Sequence, residues 1–149
     1  MAQIELILYA TDFSEDAARA VELTTQLAQS QGARLHLLHV ITELGDTHRR
    51  GIPASVMDAF VREVTTQAVS DMHDFRQRFF AHYPGELSTD VVMGPGAEEI
   101  LAQADRLDAD LIVMGSHGRH GVEKLLLGST TERLIRKSHI PVLTVPERV

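Results

Sequence analysis

The chain has 149 residues, 44% hydrophobic and 23% charged, enough to bury one substantial core, and no apolar run approaches the roughly 20 residues that span a bilayer. It contains no cysteine, which excludes disulfides, thiol catalysis and thiolate metal sites. A formal net charge of −7 argues against a nucleic-acid binder, which needs a basic footprint for phosphate backbones. The opening stretch MAQIELILYATDFSE lacks the basic start and small-residue cleavage site of a secretory signal. With the missing cysteines, this leads to the expectation of a cytoplasmic protein with no membrane partner.

Ile4 to Ala10 is a short apolar run, predicted as a buried strand. It ends in Thr11-Asp12-Phe13-Ser14, where Ser14 suits a helix N-cap and Glu15 and Asp16 suit the acid-favouring first turn. Ala17, Val21, Thr24, Leu27 and Ala28 then recur at helical spacing until Gly32. Leu35 to Val40 reads as a second strand, and the polar stretch Ile41 to Pro53 as a mobile loop. Val56, Phe60, Val64, Ala68, Met72, Phe75 and Phe79 step by three or four residues, which predicts a long helix broken by Pro84-Gly85. Phe60, Met72, Phe75 and Phe79 are expected to form its core stripe.

Leu87 to Met93 alternates only in part, as a strand at a sheet edge does. Gly94-Pro95-Gly96 is a structural turn, because its proline removes an N–H donor, and a helix follows with Ala97, Ile100, Leu101, Ala104 and Leu107 inward. Leu111 to Met114 is the most apolar strand; a helix is predicted from Thr130 to Lys137, and a last strand from Val142 to Val145. Strands alternating with helices require a parallel sheet with helices on both faces. No linker or repeat interrupts the pattern, so one doubly wound α/β domain is predicted over 1–149.

In such sheets ligands bind beyond the carboxyl ends of the strands, where the strand order reverses. Thr11-Asp12 and the segment from Gly115 onward both fall at that edge. Glycines let backbone N–H groups approach an anion closely. Gly128-Ser129-Thr130 opens a helix, where free N–H groups, hydroxyls and the positive dipole end converge. From Gly115 to Lys137, Arg119, Lys124, Arg133, Arg136 and Lys137 outweigh Glu123 and Glu132, a balance of +3 that leaves −10 for the remainder. This combination suits a polyphosphate. Asp12 does not favour phosphate directly; an acceptor there suits a ribose hydroxyl, a base amino group or a phosphate-bound Mg²⁺.

Other phosphate and metal motifs are missing. Neither Gly-x4-Gly-Lys-Ser/Thr nor Gly-x-Gly-x-x-Gly occurs. His36 and His39, three apart on a strand, point to opposite faces and cannot share a metal simply. His117 lies in the glycine segment, where contact with a ligand and exposure to solvent are equally open; His120 and Lys124 are expected in solvent. No metal site made of protein side chains is expected.

The spacing Gly115-x2-Gly118-x9-Gly128-Ser129 follows Asp110-Leu111-Ile112-Val113-Met114 and precedes Ile140-Pro141-Val142-Leu143. With the Thr11-Asp12-Phe13-Ser14 turn, His39-Val40 and Gly96-Ala97-Glu98-Glu99-Ile100, this pattern resembles the universal stress protein family along essentially the whole chain. The resemblance implies an open sheet of five parallel strands in order 3-2-1-4-5. Because the glycines are kept, it also implies the ATP-binding branch of that family, with ATP bound with or without Mg²⁺. Asp12 and Val40 would then face adenine and ribose, with Met114 and Gly115 beside them. Gly118, Gly128, Ser129 and Thr130 would hold the phosphates, and Ala10, Thr11, Ser116, His117 and Arg119 complete the expected nucleotide set. Ala10 departs from the proline that many members carry before the Thr-Asp pair, which leaves the turn looser.

Hydrolysis requires an oriented water and stabilisation of transition-state charge. The resemblance puts Asp12, the only acid assigned to the cleft, on the nucleoside side, so binding with slow turnover at most is expected. Three readings follow: an ATP-binding regulatory module with an unidentified protein partner, a nucleotide-independent dimeric interaction protein, and a slow ATPase or nucleotidyl transferase. The retained glycines favour the first over the second, and the lack of a general base near the γ-phosphate disfavours the third. Val142 to Val145 would be an exposed pairing edge, and a homodimer through it is expected.

Overall fold

The computed structural model describes residues 3–14, 18–42, 51–115 and 128–146. Five strands, β1 (Leu6–Ala10), β2 (Arg34–Ile41), β3 (Leu87–Met93), β4 (Leu111–Gly115) and β5 (Val142–Val145), pair in parallel in the order β3-β2-β1-β4-β5. Between them run α1 (Ala18–Gln31), α2 (Ala54–Phe80), α3 (Gly96–Leu107) and α4 (Ser129–Lys137). The strand order is the expected one, and β3 and β5 keep their predicted bounds.

All five β1 residues are buried, which is why the strand reads as one unbroken apolar run with helices on both faces. Its side chains nevertheless alternate. Ile7 and Tyr9, with Leu35, Leu37 and Val113, pack against Ala20, Val21 and Ala28 of α1 and Met72, Phe75 and Phe80 of α2. Leu6, Leu8 and Ala10, with Leu38, Ile112 and Met114, pack against Ala97, Ile100 and Ala104 of α3 and Leu134 of α4. Truncating one of the central leucines or isoleucines to alanine costs about 2–5 kcal/mol, because little of the void can collapse.

The amino edge of the sheet is fastened by one carboxylate. Asp110 Oδ2 accepts hydrogen bonds from the Glu5 N–H at 2.8 Å and the Leu6 N–H at 3.1 Å, while the Asp110 N–H donates to the Leu6 carbonyl at 2.9 Å. Just upstream, Asp108 takes the left-handed conformation (φ 55°) that ends α3, its N–H turned back to the Ala104 and Asp105 carbonyls. The chain therefore passes from α3 into β4 through a three-residue connection, Asp108 to Asp110.

Two expectations need correction. Ile41 is a buried residue of β2, not the start of a loop; residues 43–50 of that predicted loop lie outside the described residues. In α2, Met72 and Phe75 are buried and Phe79 is partly so, but Val56 and Phe60 are 56% and 47% exposed. The cause is length. A 27-residue helix extends about 40 Å at 1.5 Å per residue, whereas strands of this size cover roughly 13–26 Å. The amino-terminal half of α2 overhangs the sheet, and its apolar period continues past anything for it to cover among the described residues. In α1, Val21, Thr24 and Ala28 are buried as expected, while Glu15, Asp16 and Ala17 lie outside the described residues. No helix among the described residues is long and apolar enough to cross a membrane.

Candidate functional site

The strand order reverses at β1, which has β2 on one side and β4 on the other. Ala10, the last residue of β1, is level with Leu38 of β2 and Met114 of β4. Ala10 and Met114 are buried on the α3/α4 face, and Val40 packs beside that same cluster. Three of the predicted nucleotide residues thus form one apolar floor at the carboxyl edge, of a kind that suits a flat base.

Beyond Ala10 the chain turns sharply and is braced from several directions. The Thr11 N–H donates to the Leu38 carbonyl at 2.9 Å, and His39 Nδ1 lies 2.7 Å from the Thr11 carbonyl oxygen. Within the turn, the Phe13 N–H donates to Thr11 Oγ1 and the Ser14 N–H to Asp12 Oδ1, each at 3.0 Å. Phe13 has a φ of +63°, a left-handed conformation that is uncommon for an aromatic residue. Its ring is held 4.2 Å from the His39 ring and 5.8 Å from Phe75, centroid to centroid. Burial, together with the neighbouring Asp12 carboxylate, pushes the Tyr9 phenol well above its usual pKa, so Tyr9 stays neutral beneath the turn.

The opposite wall is built by helix starts. Gly128 is the N-cap of α4 at φ −63° and ψ 155°, with no side-chain cap; the first helical bond runs from the Glu132 N–H to the Gly128 carbonyl at 2.9 Å. Thr131, 3% exposed, donates its hydroxyl to the Gly115 carbonyl at 3.2 Å and so ties the start of α4 to the end of β4. The first residue of α3 abuts the same place. A Cβ on Gly96 would stand 3.0 Å from Thr130 Cγ2 and 3.2 Å from its Oγ1. The positive ends of two helix dipoles therefore meet at this edge.

Asp12, Val40, Gly115, Gly128 and Thr130 are partly buried and Ser129 is exposed. Ser116, His117, Gly118 and Arg119 lie outside the described residues, as do His120 and Lys124. Three of the segment's five cations are engaged in ion pairs along α4. Arg133 and Lys137 pair with Glu98 of α3 at 2.7 and 3.1 Å, and Arg136 pairs with Glu132 at 2.7 Å. These cations stitch α4 to α3 and to itself. His36 and His39 do face opposite sides: His36 Nδ1 is 2.7 Å from Ser88 Oγ, whereas His39 meets Thr11 and Phe13.

Reading the sequence alone missed three supports of the site: the His39 bond, the Phe13 ring contact and the Thr131 tether. Each depends on which residues the sheet brings level, and only the buried register supplies that. A histidine ending a strand beside a Thr-Asp turn is the one signal that could have suggested the first.

The model of the Universal stress protein family matches residues 4–146. The chain is 32% identical to Universal stress protein MJ0577 of Methanocaldococcus jannaschii, an alignment that covers 95% of this chain and 94% of that protein. The solved structure of MJ0577 superposes with a TM-score of 0.85 at 30% identity, covering 99% of both chains. At fold level, a universal stress protein in complex with cAMP superposes with a TM-score of 0.60 at 23% identity over 97% of this chain and 98% of that one. One from Archaeoglobus fulgidus in complex with dAMP gives 0.56 at 20% over 97% and 98%. Fold, glycine spacing and overall likeness agree, and the chain belongs to the universal stress protein family.

Proposed function

We propose that this member of the family is a regulatory module that binds an adenine nucleotide, ATP, and turns it over slowly at most. The base and ribose would lie on Ala10, Val40, Met114 and Gly115 beside Thr11 and Asp12. The phosphates, with Mg²⁺ bridging them where it is present, would lie against Ser116, His117, Gly118, Arg119, Gly128, Ser129 and Thr130. Asp12 accepts from a ribose hydroxyl or a base amino group in this arrangement, which keeps its carboxylate on the nucleoside side and away from the γ-phosphate.

The observation that carries this reading is Gly128. Its φ of −63° and ψ of 155° are open to every amino acid, so backbone conformation does not call for glycine there. Serine, threonine or aspartate would cap the helix better. A glycine without a side-chain cap leaves the first-turn N–H groups of α4 approachable, next to a second helix start at Gly96, and that favours an anion. The cAMP and dAMP complexes support the capacity of the fold to seat an adenylate.

A homodimer through β5 and a cytoplasmic location belong to the same proposal. β5 is an edge strand with Leu143 37% exposed, an unpaired ladder that a second copy can complete. Light scattering at micromolar concentration is expected to give the dimer mass. Nucleotide binding is tested by denaturing freshly purified protein, identifying any released nucleotide by chromatography, and titrating the emptied protein with ATP in the presence and absence of Mg²⁺. No released nucleotide and no thermal shift with ATP would favour the nucleotide-independent interaction protein instead.

A further inference from the structure

The nucleoside side depends on a turn that lies outside the regular elements. Thr11 to Ser14 lies between β1 and α1, and its own bonds, from Phe13 to Thr11 Oγ1 and from Ser14 to Asp12 Oδ1, fix its internal shape only. Two hydrogen bonds with β2 fix its orientation against the sheet, beside the contact of the Phe13 ring with Phe75 of α2. The Thr11 N–H reaches the Leu38 carbonyl at 2.9 Å, and the Thr11 carbonyl is met by His39 Nδ1 at 2.7 Å.

A carbonyl oxygen carries no proton, so Nδ1 must be the protonated nitrogen. That sets the tautomer of the neutral ring and makes His39 a donor at this contact. The Thr11 carbonyl belongs to the peptide group that joins Thr11 to Asp12, and that group is planar. Holding its oxygen therefore holds the whole plane, the Asp12 N–H included, and with it the direction in which Asp12 leaves the chain. His39 sits on the α1/α2 face, where it stacks on Phe13, while Ala10, Val40 and Met114 line the other face. The imidazole thus braces the turn from behind, without standing among the residues proposed to touch the nucleotide.

We propose that His39 is the positioning residue of the nucleoside side: its Nδ1–H, bonded to the Thr11 carbonyl, aims Asp12 at the ribose or base. This rests on the nucleotide-binding reading above. Ala10 sharpens the need for such a brace, since a proline before the Thr-Asp pair would restrict the turn by itself and this chain lacks it.

The test uses the full chain freed of nucleotide, with ATP and AMP as probes in titration calorimetry, and thermal unfolding of each variant alongside. His39→Phe keeps a ring against Phe13 and removes the donor. His39→Asn places an amide NH₂ close to the position of Nδ1 and restores the donor without the ring. The expected result is an affinity about tenfold weaker for His39→Phe, equal for ATP and AMP because the brace acts on the nucleoside side, with most of the loss recovered in His39→Asn; tenfold corresponds to one net hydrogen bond. If the wild-type protein binds ATP or AMP and His39→Phe binds within twofold of it, His39 does not position the turn. If His39→Asn is as weak as His39→Phe while melting like the wild type, the ring and not the N–H matters, and the proposal is overturned. Should His39→Phe fail to fold, His39→Asn decides alone: affinity within threefold of wild type supports the brace, and a tenfold loss overturns it. If the wild type binds neither nucleotide, the functional reading itself falls and takes this one with it.

Discussion

Removing the Asp110 carboxylate should destabilise the fold without touching the site, and the size of the effect follows from its two bonds. Both end on one oxygen, at 2.8 Å from the Glu5 N–H and 3.1 Å from the Leu6 N–H. Glu5 is exposed, so water replaces that bond at little cost, about 0.5 kcal/mol. Leu6 is 4% exposed, and losing a charged acceptor from a partly buried N–H costs about 1.5–3 kcal/mol. Asp110→Ala should therefore lose about 2–3.5 kcal/mol in urea unfolding at pH 7 with an unchanged m value, or about 6–10 °C in Tm at roughly 3 °C per kcal/mol for a chain of this size. Asp110→Asn keeps an oxygen that can accept both bonds but not the charge, and about 1 kcal/mol is expected. Because Asp110 stands at the amino edge, the affinity of either variant for ATP should stay within twofold of wild type. An Asp110→Ala protein within 0.5 kcal/mol of wild type would refute the idea that this carboxylate fastens β1 to β4.

His36 is 5% exposed, its Nε2 has no hydrogen-bond partner among the described residues, and burial lowers its pKa below 6.5, with Asp90 opposing and Arg106 adding to the shift. The unfolded chain then takes up the proton first, so stability should fall as pH drops below about 6.5; His36→Gln should flatten that part of the curve, and parallel wild-type and variant curves between pH 7 and 5 would count against it. Gly96→Val puts a Cβ 3.0 Å from Thr130 Cγ2, so Thr130 must give by a few tenths of an ångström, and should cost about 1–3 kcal/mol and weaken nucleotide binding; a Tm within 1 °C of wild type would contradict the contact. Gly128→Val meets no backbone strain at φ −63°, so it should fold with only the about 1 kcal/mol that a poor N-cap costs yet lose ATP binding in calorimetry, and retained affinity would remove the phosphate reading of this glycine.

Most of the architecture was legible because each strand carries its own punctuation. Gly85 and Gly94-Pro95 bracket β3 and Pro141 precedes β5, and both strands keep their predicted bounds. β1 begins at Leu6 and not at Ile4, and at that start the Glu5 and Leu6 N–H groups go to a side chain, Asp110, which no reading of apolar runs could place. Phe60 shows the other limit: period tells which face of α2 is apolar, not how far the sheet beneath it reaches. Counting signs along the chain likewise gives the +3 balance but cannot see that Glu98 of α3 is folded against Arg133 and Lys137. Of the candidate site, glycine spacing exposed the phosphate side, whereas the bracing of the nucleoside side depends on His39 lying beside Thr11, which only the pairing of β1 with β2 determines.

The two faces of the sheet also differ in kind at the carboxyl edge. Tyr9, Phe13, His39, Phe75, Phe79 and Phe80 gather on the α1/α2 face, and rings packed edge against face hold a fixed geometry and bury large areas. On the α3/α4 side at the carboxyl edge stand Ala10, Gly96 and Gly128, which present little or no side chain. A left-handed Phe13 and an unsupported turn could not persist on a face built of small residues, because conformations of that kind last only where the surroundings over-determine them. The aromatic face supplies that constraint from behind, through His39 and Phe13, so the front can stay small. The turn carrying Asp12 is thus held by residues a ligand would not displace, and its geometry should be the same before and after nucleotide arrives.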